Sequence, residues 1–206
     1  MPQQAPSKTE LLELRAEREL VREGKAVLEE RRDLLAQLML SQIKTLTHLS
    51  EARERGFDRA RGLVQRAATR HGLLGLQTLA SAGVDLPDPQ WRVDNRLGIP
   101  WLASAGVDAP VVGAARGGPS ASLEVAMAVS ALRKLLANLL QVAEVESNLA
   151  RLTEAFRRTQ RRVNALDRIM LPELNTEVRA MEAIIDEMGR DDLVRALLIK
   201  RAQAGD

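Results

Sequence analysis

The stretch that decides the fold is residues 159–174, which read TQRRVNALDRIMLPEL. It lies in a segment where apolar residues recur at a spacing of seven. The set is Leu135, Val142, Leu149, Phe156, Val163 and Met170. An apolar period near 3.5 residues favours a helix that supercoils around a partner helix. Pro172 is expected to kink this helix or remove one hydrogen bond, and apolar residues resume after it.

A second helical segment precedes the first one, from residue 7 to about residue 82. Its apolar residues also recur at seven: Leu14, Val21, Leu28 and Leu35. Ser7 followed by Glu10 fits a capping box at its start. Each helix presents one apolar stripe, so the simplest arrangement is an antiparallel pair in which the two stripes face each other.

The composition changes between residues 83 and 119. Five of the eight prolines lie there: Pro87, Pro89, Pro100, Pro110 and Pro119. No long helix crosses such a segment, and residues 91–93 and 110–112 are candidates for short strands. The predicted fold class is all-α: a long antiparallel two-helix coiled coil with a short irregular or β-hairpin-containing insert at its far end. The predicted segments of this single rod-like domain are a shaft helix at 1–82, the insert at 83–119 and a shaft helix at 120–206.

Composition narrows the classes of protein that remain. Aromatic residues make up 2% of the 206, and the absence of cysteine excludes disulfides and thiolate metal sites. The 30 basic and 28 acidic side chains are interleaved, which is typical of solvated helical faces rather than of a nucleic-acid surface. The first residues lack the pattern of a signal peptide, and no stretch of about 18 uncharged apolar residues predicts a membrane span.

The sequence lacks the motifs of common catalytic sites. Its only Gly-Lys pair, Gly24-Lys25, continues with Ala26, so no Walker A loop is present. No dinucleotide-binding glycine motif occurs, and His48 and His71 lack the spacing of zinc ligands. We therefore predict no catalytic residue, cofactor or metal site.

A cluster of four arginines is the strongest candidate for a binding surface. Arg157 and Arg161, like Arg158 and Arg162, are i,i+4 neighbours, so the cluster forms two basic columns on a helix. Three interpretations are open at this point: pairing with acids of the neighbouring helix, contact with acidic groups of a surrounding protein, or phosphate binding.

Three motifs in order carry a resemblance to a known family. Residues 6–14 read PSKTELLEL, residues 24–35 read GKAVLEERRDLL, and residues 161–172 contain RRVNALD followed by proline. Together they resemble the D subunit, which is the central rotor stalk of V-type and A-type rotary ATPases. Residues 29 and 30 depart from that pattern, because glutamates stand where the family commonly has a basic residue. The likeness covers both helical segments and leaves the insert poorly matched.

The resemblance implies a non-catalytic component of the rotor. Its paired terminal helices would enter the cavity of the alternating catalytic and regulatory subunits of the ATPase hexamer. Its other end would join the small F subunit of the stalk and the funnel-shaped C subunit above the membrane ring. The chain would transmit torque between ATP hydrolysis or synthesis and ion translocation, at a cytoplasmic site peripheral to the membrane. The residues expected to contact partners are Lys8, Arg157, Arg158, Arg161, Arg162 and Asn164.

Three alternatives remain at the level of sequence. The first is another stalk, such as the gamma subunit of F-type ATPases or the stalk of a flagellar export gate. The 37 residues from 83 to 119 are too few for the α/β domain of an F-type gamma subunit. The second is a non-rotary coiled-coil scaffold. The third is a basic helical nucleic-acid binder, which the near-neutral net charge of +2 disfavours.

Overall fold

The structure, a computed structural model, describes residues 7–81, 91–104 and 123–203. Two long helical segments flank a β-hairpin, which confirms the predicted fold class. The elements in chain order are α1 (Lys8–Ser81), β1 (Trp91–Arg96), β2 (Ile99–Ser104), α2 (Leu123–Ala165), a π-helical turn (Leu166–Met170) and α3 (Leu171–Gln203). The strand expected at 91–93 is confirmed within β1, whereas the one expected at 110–112 lies outside the described residues.

The chain divides into two compact units. The terminal unit contains residues 1–34 and 156–206, and the central unit contains residues 35–155. Each of them has a helix pair of its own, one member from α1 and the other from the second helical segment.

Ion pairs show that the helices of the terminal unit are antiparallel. Arg15 donates to Glu182 at 2.7 Å, and Lys25 donates to Asp167 at 2.5 Å. Partner numbers fall on one helix as they rise on the other, which is the antiparallel order. At the start of α1, the amide of Glu10 donates to Ser7 Oγ at 3.2 Å, so the predicted N-terminal cap is confirmed.

The helices of the central unit are antiparallel as well. Arg70 pairs with Glu124 at one level, and Gly56 lies opposite Leu135 at another. Small residues dominate the buried cluster between these helices, which lets the two backbones approach closely. The cluster contains Ala60, Leu63, Ala128, Ala131 and Leu135.

The π-helical turn shifts the apolar stripe of the second helical segment by one residue. Val163 is buried, but Met170, the next residue at a spacing of seven, is 39% exposed. The expectation that Met170 continues the stripe is therefore wrong. A π turn holds one more residue than an α turn, so the stripe continues through Leu171, which is half-buried, to Val178, which is buried.

The same turn accommodates Pro172. The amide of Leu171 bonds to the carbonyl of Leu166, five residues back, and Leu171 itself has helical backbone angles. A proline in a regular α-helix removes a bond and presses its ring on the carbonyl four residues earlier. The wider π turn relieves that clash, and α3 continues from Leu171 to Gln203.

One glycine interrupts α1. Gly72 has φ of 72° and ψ of 164°, which is not helical, and the helix resumes after it. Residues with a Cβ are strained at such a φ, whereas glycine is not. Glycine is therefore the residue that allows α1 to change direction at this point.

One window in the second helical segment is apolar enough to span a membrane. Within Leu123–Arg201, 18 residues reach a mean hydropathy of 1.4 with no more than two charged side chains. The window meets this criterion by its length and composition alone. The apolar part of α2 also includes Arg133, Lys134 and Asn138, and its Ala128 and Leu135 are buried in the central unit. Only 22% of the window is buried, so packing against α1 accounts for part of this apolar character.

Candidate assembly surfaces

The predicted basic cluster lies on the exposed side of α2 in the terminal unit. All four arginines, at 157, 158, 161 and 162, are exposed. Arg158 and Arg161 each take part in an interaction, so they are not free. Among the described residues, no ion pair or hydrogen bond is assigned to Arg157 or Arg162. The cluster therefore offers two uncommitted guanidinium groups to a partner.

The other two predicted contact residues are also at the surface of the terminal unit. Lys8 is the first residue of α1 and is exposed. Asn164 is exposed, and its Oδ1 accepts a hydrogen bond from Gln160 Nε2 at 2.9 Å. The structure thus leaves both side chains accessible without bringing Lys8 to the arginine cluster.

An ion pair joins α1 to the π-helical turn. The hydrogen bond from Lys25 lowers the pKa of the Asp167 carboxyl below its ordinary value of 3.8. The same bond raises the pKa of Lys25 above 10.5. Both residues belong to the motifs that carry the family resemblance, and their contact ties the residue 24–35 motif to the residue 159–174 motif.

The end of α3 carries an exposed apolar surface. Arg15 lies opposite Glu182, so Lys8 lies at about the level of residue 189, and no described residue of α1 lies opposite 190–203. The apolar side chains there are between 55% and 66% exposed: Leu193, Val194, Leu197, Leu198 and Ile199. Contiguous apolar surface of this kind marks a contact with another protein, a membrane or a ligand. We call residues 190–203 the apolar tip.

The hairpin of the central unit is fixed to α2 by side chains. The amide of Leu102 donates to Asn148 Oδ1 at 2.8 Å, and Asn148 Nδ2 donates to the Leu102 carbonyl at 2.7 Å. Arg151 adds a bond to the carbonyl of Pro100 at 3.1 Å. Asn148 is 25 residues from the start of α2, so the hairpin lies about 37 Å along that helix, at 1.5 Å per residue.

A basic cleft lies between the two helices of the central unit. Its volume is 530 Å³, and its floor contains Gly56, Ala131 and Leu135. Arg55 and Arg59 stand on the α1 side, and Lys134 and Asn138 on the α2 side. The Oδ1 atom of Asn138 is buried and makes no hydrogen bond. An apolar floor with cationic walls is suited to a partner that is apolar on one face and acidic at its edges.

No group of three or more metal-ligating side chains occurs in the described ranges 7–81, 91–104 and 123–203. The apolar tip and the basic cleft suggest contacts with other proteins, and comparison with known proteins points the same way. The family model for the D subunit of ATP synthase matches residues 10–201. The chain belongs to the ATP synthase D-subunit family.

Relatives in this family match over nearly their whole length. The D subunit of the A-type ATP synthase of Archaeoglobus fulgidus is 25% identical over 208 residues, covering 99% of each chain. The D subunit of the V-type ATP synthase of Anaeromyxobacter dehalogenans strain 2CP-C is 33% identical over 203 residues, covering 95% of this chain and 94% of that one. The chain is thus related to both A-type and V-type proteins, and its partners are other ATPase subunits.

Sequence reasoning about this member of the D-subunit family missed two surfaces. The first is the hairpin bound by Asn148, which only tertiary structure reveals. The second is the basic cleft with Arg55, Arg59 and Lys134. The i,i+4 spacing of Arg55 and Arg59 was a usable signal, but the lysine that faces them comes from the other helix.

Proposed function

We propose that this chain is the central rotor stalk of an A-/V-type ATP synthase. It transmits torque between the catalytic hexamer and ion translocation through the membrane ring, and it performs no catalysis itself. Its partners are the alternating catalytic and regulatory subunits, the small F subunit of the stalk and the funnel-shaped C subunit. The chain acts on the cytoplasmic side, peripheral to the membrane and without a span of its own.

The apolar tip is the observation that carries this proposal. Residues 190–203 extend past the start of α1 with apolar side chains exposed around them. Cover by another protein would remove this apolar surface from water and so stabilise the helix end. The cavity of a hexamer supplies that cover, and an apolar sleeve lacks the directional hydrogen bonds that would stop the tip from turning.

The helix pairs suit the transmission of torque. In the terminal unit, buried Leu11, Val163 and Val178 and the cross-pair ion pairs hold the two helices together. One helix cannot rotate without the other while these contacts last. A two-helix section is also asymmetric, so it contacts the sites of a three-fold ring differently and biases them toward different states.

A disulfide between tip and hexamer provides the first test. The chain has no cysteine, so Leu197→Cys creates a unique thiol that can pair with a cysteine introduced in the surrounding hexamer. Cross-linking is expected to stop ATP hydrolysis, and reduction is expected to restore it. As the matched control, Leu197→Cys without the hexamer cysteine, treated with the same oxidant, is expected to leave turnover intact. Full turnover with the tip locked to the hexamer would refute rotation and favour a non-rotary scaffold.

The basic cluster supplies a second test. Charge reversal of all four arginines is expected to weaken assembly or coupling more than folding, because the four side chains are exposed. Coupled activity is measured in the reconstituted complex, and the melting temperature in the isolated chain. The control replaces the four arginines with lysine, which keeps the charge. Unchanged coupling with the reversed cluster incorporated would contradict the assignment.

A further inference from the structure

The two edges of the hairpin differ in a way that assigns a function to one of them. A two-stranded sheet has two edges whose backbone groups lack a strand partner. At the edge of β2, the side chain of Asn148 bonds to both the amide and the carbonyl of Leu102. Arg151 covers the carbonyl of Pro100 on the same edge. Helix α2 thus takes the place of a third strand beside β2.

The strand register shows which groups of β1 point outward. In an antiparallel pair, opposed residues alternate between those that bond to each other and those whose backbone groups face away. Leu102 faces α2, so its opposed residue Val93 directs its amide and carbonyl to the other side. Asn95, opposed to Pro100, follows the same alternation. Asp94, opposed to Trp101, bonds within the hairpin.

The outer edge of β1 is open within the described part of the chain. No hydrogen bond to the outward groups of Val93 or Asn95 is formed by residues 7–81, 91–104 or 123–203. All six residues of β1 are exposed. The turn is short, since Leu97 and Gly98 both have positive φ and form a two-residue type I′ loop. No long loop therefore folds over the strand from this end.

The charges of β1 indicate the chemistry of an added strand. Arg92 and Arg96 are exposed on either side of Asp94, so the strand has a net positive charge. Arg96 stacks over the ring of Trp101 on β2, with its guanidinium carbon 4.6 Å from the ring centroid, which orders this side chain on the face of the hairpin. Opposite charges on adjacent strands stabilise a sheet, and like charges destabilise it.

We propose that β1 receives an extended acidic segment of a neighbouring ATP synthase subunit as the third strand of this sheet. Main-chain bonds to Val93 and Asn95 supply the attachment, and carboxylates beside Arg92 and Arg96 select the segment. The inference requires that the chain is assembled with other ATPase subunits. It does not require that the chain rotates, so it stands or falls separately from torque transmission.

Amide hydrogen exchange tests the added strand at single residues. In the isolated chain, the amides of Val93 and Asn95 are expected to exchange rapidly and that of Asp94 slowly. In the purified complex, the two outer amides are expected to exchange at least about tenfold more slowly, since a hydrogen bond must open first. Unchanged exchange in a complex of full subunit composition would overturn the proposal. Protection that appears in the isolated chain as its concentration rises would also overturn it, by assigning the edge to a second copy.

Two pairs of variants separate backbone bonding from charge. Val93→Pro removes one outward amide without touching the bonds inside the hairpin, and Val93→Thr keeps that amide. The proline variant is expected to lower incorporation into the complex about tenfold relative to the threonine variant. Equal incorporation would contradict main-chain pairing. Arg92→Glu is expected to lower incorporation into the complex, and Arg92→Lys is expected to preserve it. This second pair tests the charge even if the Val93→Pro variant fails to fold. Equal behaviour of these two would exclude an acidic segment.

Discussion

Replacement of Asn148 by alanine is expected to release the hairpin from α2 while the helix pairs stay folded. The side chain is 1% exposed and makes two hydrogen bonds to the backbone of Leu102, at 2.7 and 2.8 Å. No other side chain of α2 bonds to Leu102 among the described residues. A further bond between helix and hairpin, from Arg151 to Pro100, is exposed and longer, at 3.1 Å.

The magnitude follows from these two bonds. Each is worth about 0.5–1.5 kcal/mol net, and each backbone group left buried without a partner costs about 1–3 kcal/mol. Alanine offsets part of the loss, because it favours a helix over asparagine by about 0.6 kcal/mol. Water that enters the space of the lost amide lowers the cost further. We therefore expect hairpin docking to weaken by about 2–4 kcal/mol.

Tryptophan fluorescence reports this step directly. Trp101 in β2 is 5% exposed, whereas Trp91 in β1 is 37% exposed, and the chain has no other tryptophan. With Trp91→Phe as background, emission reports on Trp101 alone. An isolated two-stranded hairpin cannot bury an indole in water, so undocking shifts the emission to longer wavelength. In a urea titration, Asn148→Ala is expected to move this transition to lower concentration.

The chain offers a matched control for this experiment. Asn138 lies on the same helix, and its Oδ1 has no hydrogen-bond partner. Asn138→Ala makes the same chemical change and the same gain in helix propensity without touching the hairpin. It is expected to leave the Trp101 transition in place. Equal midpoints for the two variants would refute the view that Asn148 holds the hairpin.

Three further predictions concern the stability of the helices, measured by urea or thermal unfolding followed by circular dichroism. Leu35→Ala is expected to cost about 2–5 kcal/mol because Leu35 is 0% exposed, whereas Leu34→Ala, at a side chain 42% exposed, should cost less than half as much. Gly72→Ala is expected to destabilise by about 1–2 kcal/mol because of its φ of 72°, whereas Gly62→Ala, in a helix with open space around it, should stabilise by about 0.5–1 kcal/mol. The pKa of the Asp167 carboxyl is lowered from its ordinary 3.8, so its ion pair contributes fully to the free energy of unfolding above pH 3.8. That contribution is lost as the pH falls through the lower pKa of the folded state, and Asp167→Asn should remove this part of the acid destabilisation. The first prediction would be contradicted by equal losses of stability for Leu34→Ala and Leu35→Ala. The second would be contradicted if Gly62→Ala and Gly72→Ala changed stability in the same direction, and the third if Asp167→Asn left the dependence of stability on acidic pH unchanged.

The helix pairs could be predicted from apolar spacing because two long stripes leave few ways to exclude water. Val163 and Val142 are buried as that spacing requires. The one-residue shift at the π turn could not be predicted, since residues 169–171 are all apolar. The sequence is equally compatible with an apolar stripe through Met170 and with one through Leu171. Only the packing between the two helices shows that the stripe passes through Leu171.

The candidate surfaces divide in the same way. The cluster at 157–162 was visible because its members are near neighbours on one helix, and its contact with a partner remains a prediction. Arg55 and Lys134 line the same cleft although they are nearly 80 residues apart in the sequence. Residue spacing within one helix cannot predict such a contact between two helices. Asn148 has no local sign of its role either, because an asparagine within a helix is more often exposed than bonded to a distant strand.

The π turn links two sequence changes, Pro172 and the one additional residue of the turn, because each offsets the cost of the other. An insertion alone would rotate every later residue of the stripe by about 100° around the helix axis. A proline alone would cost about 3 kcal/mol or more in a regular helix. Together, the widened turn admits the ring, and the stripe still reaches Val178 in register with α1. Each change is therefore costly to reverse alone, so a lineage that carries both is expected to keep both or lose them together.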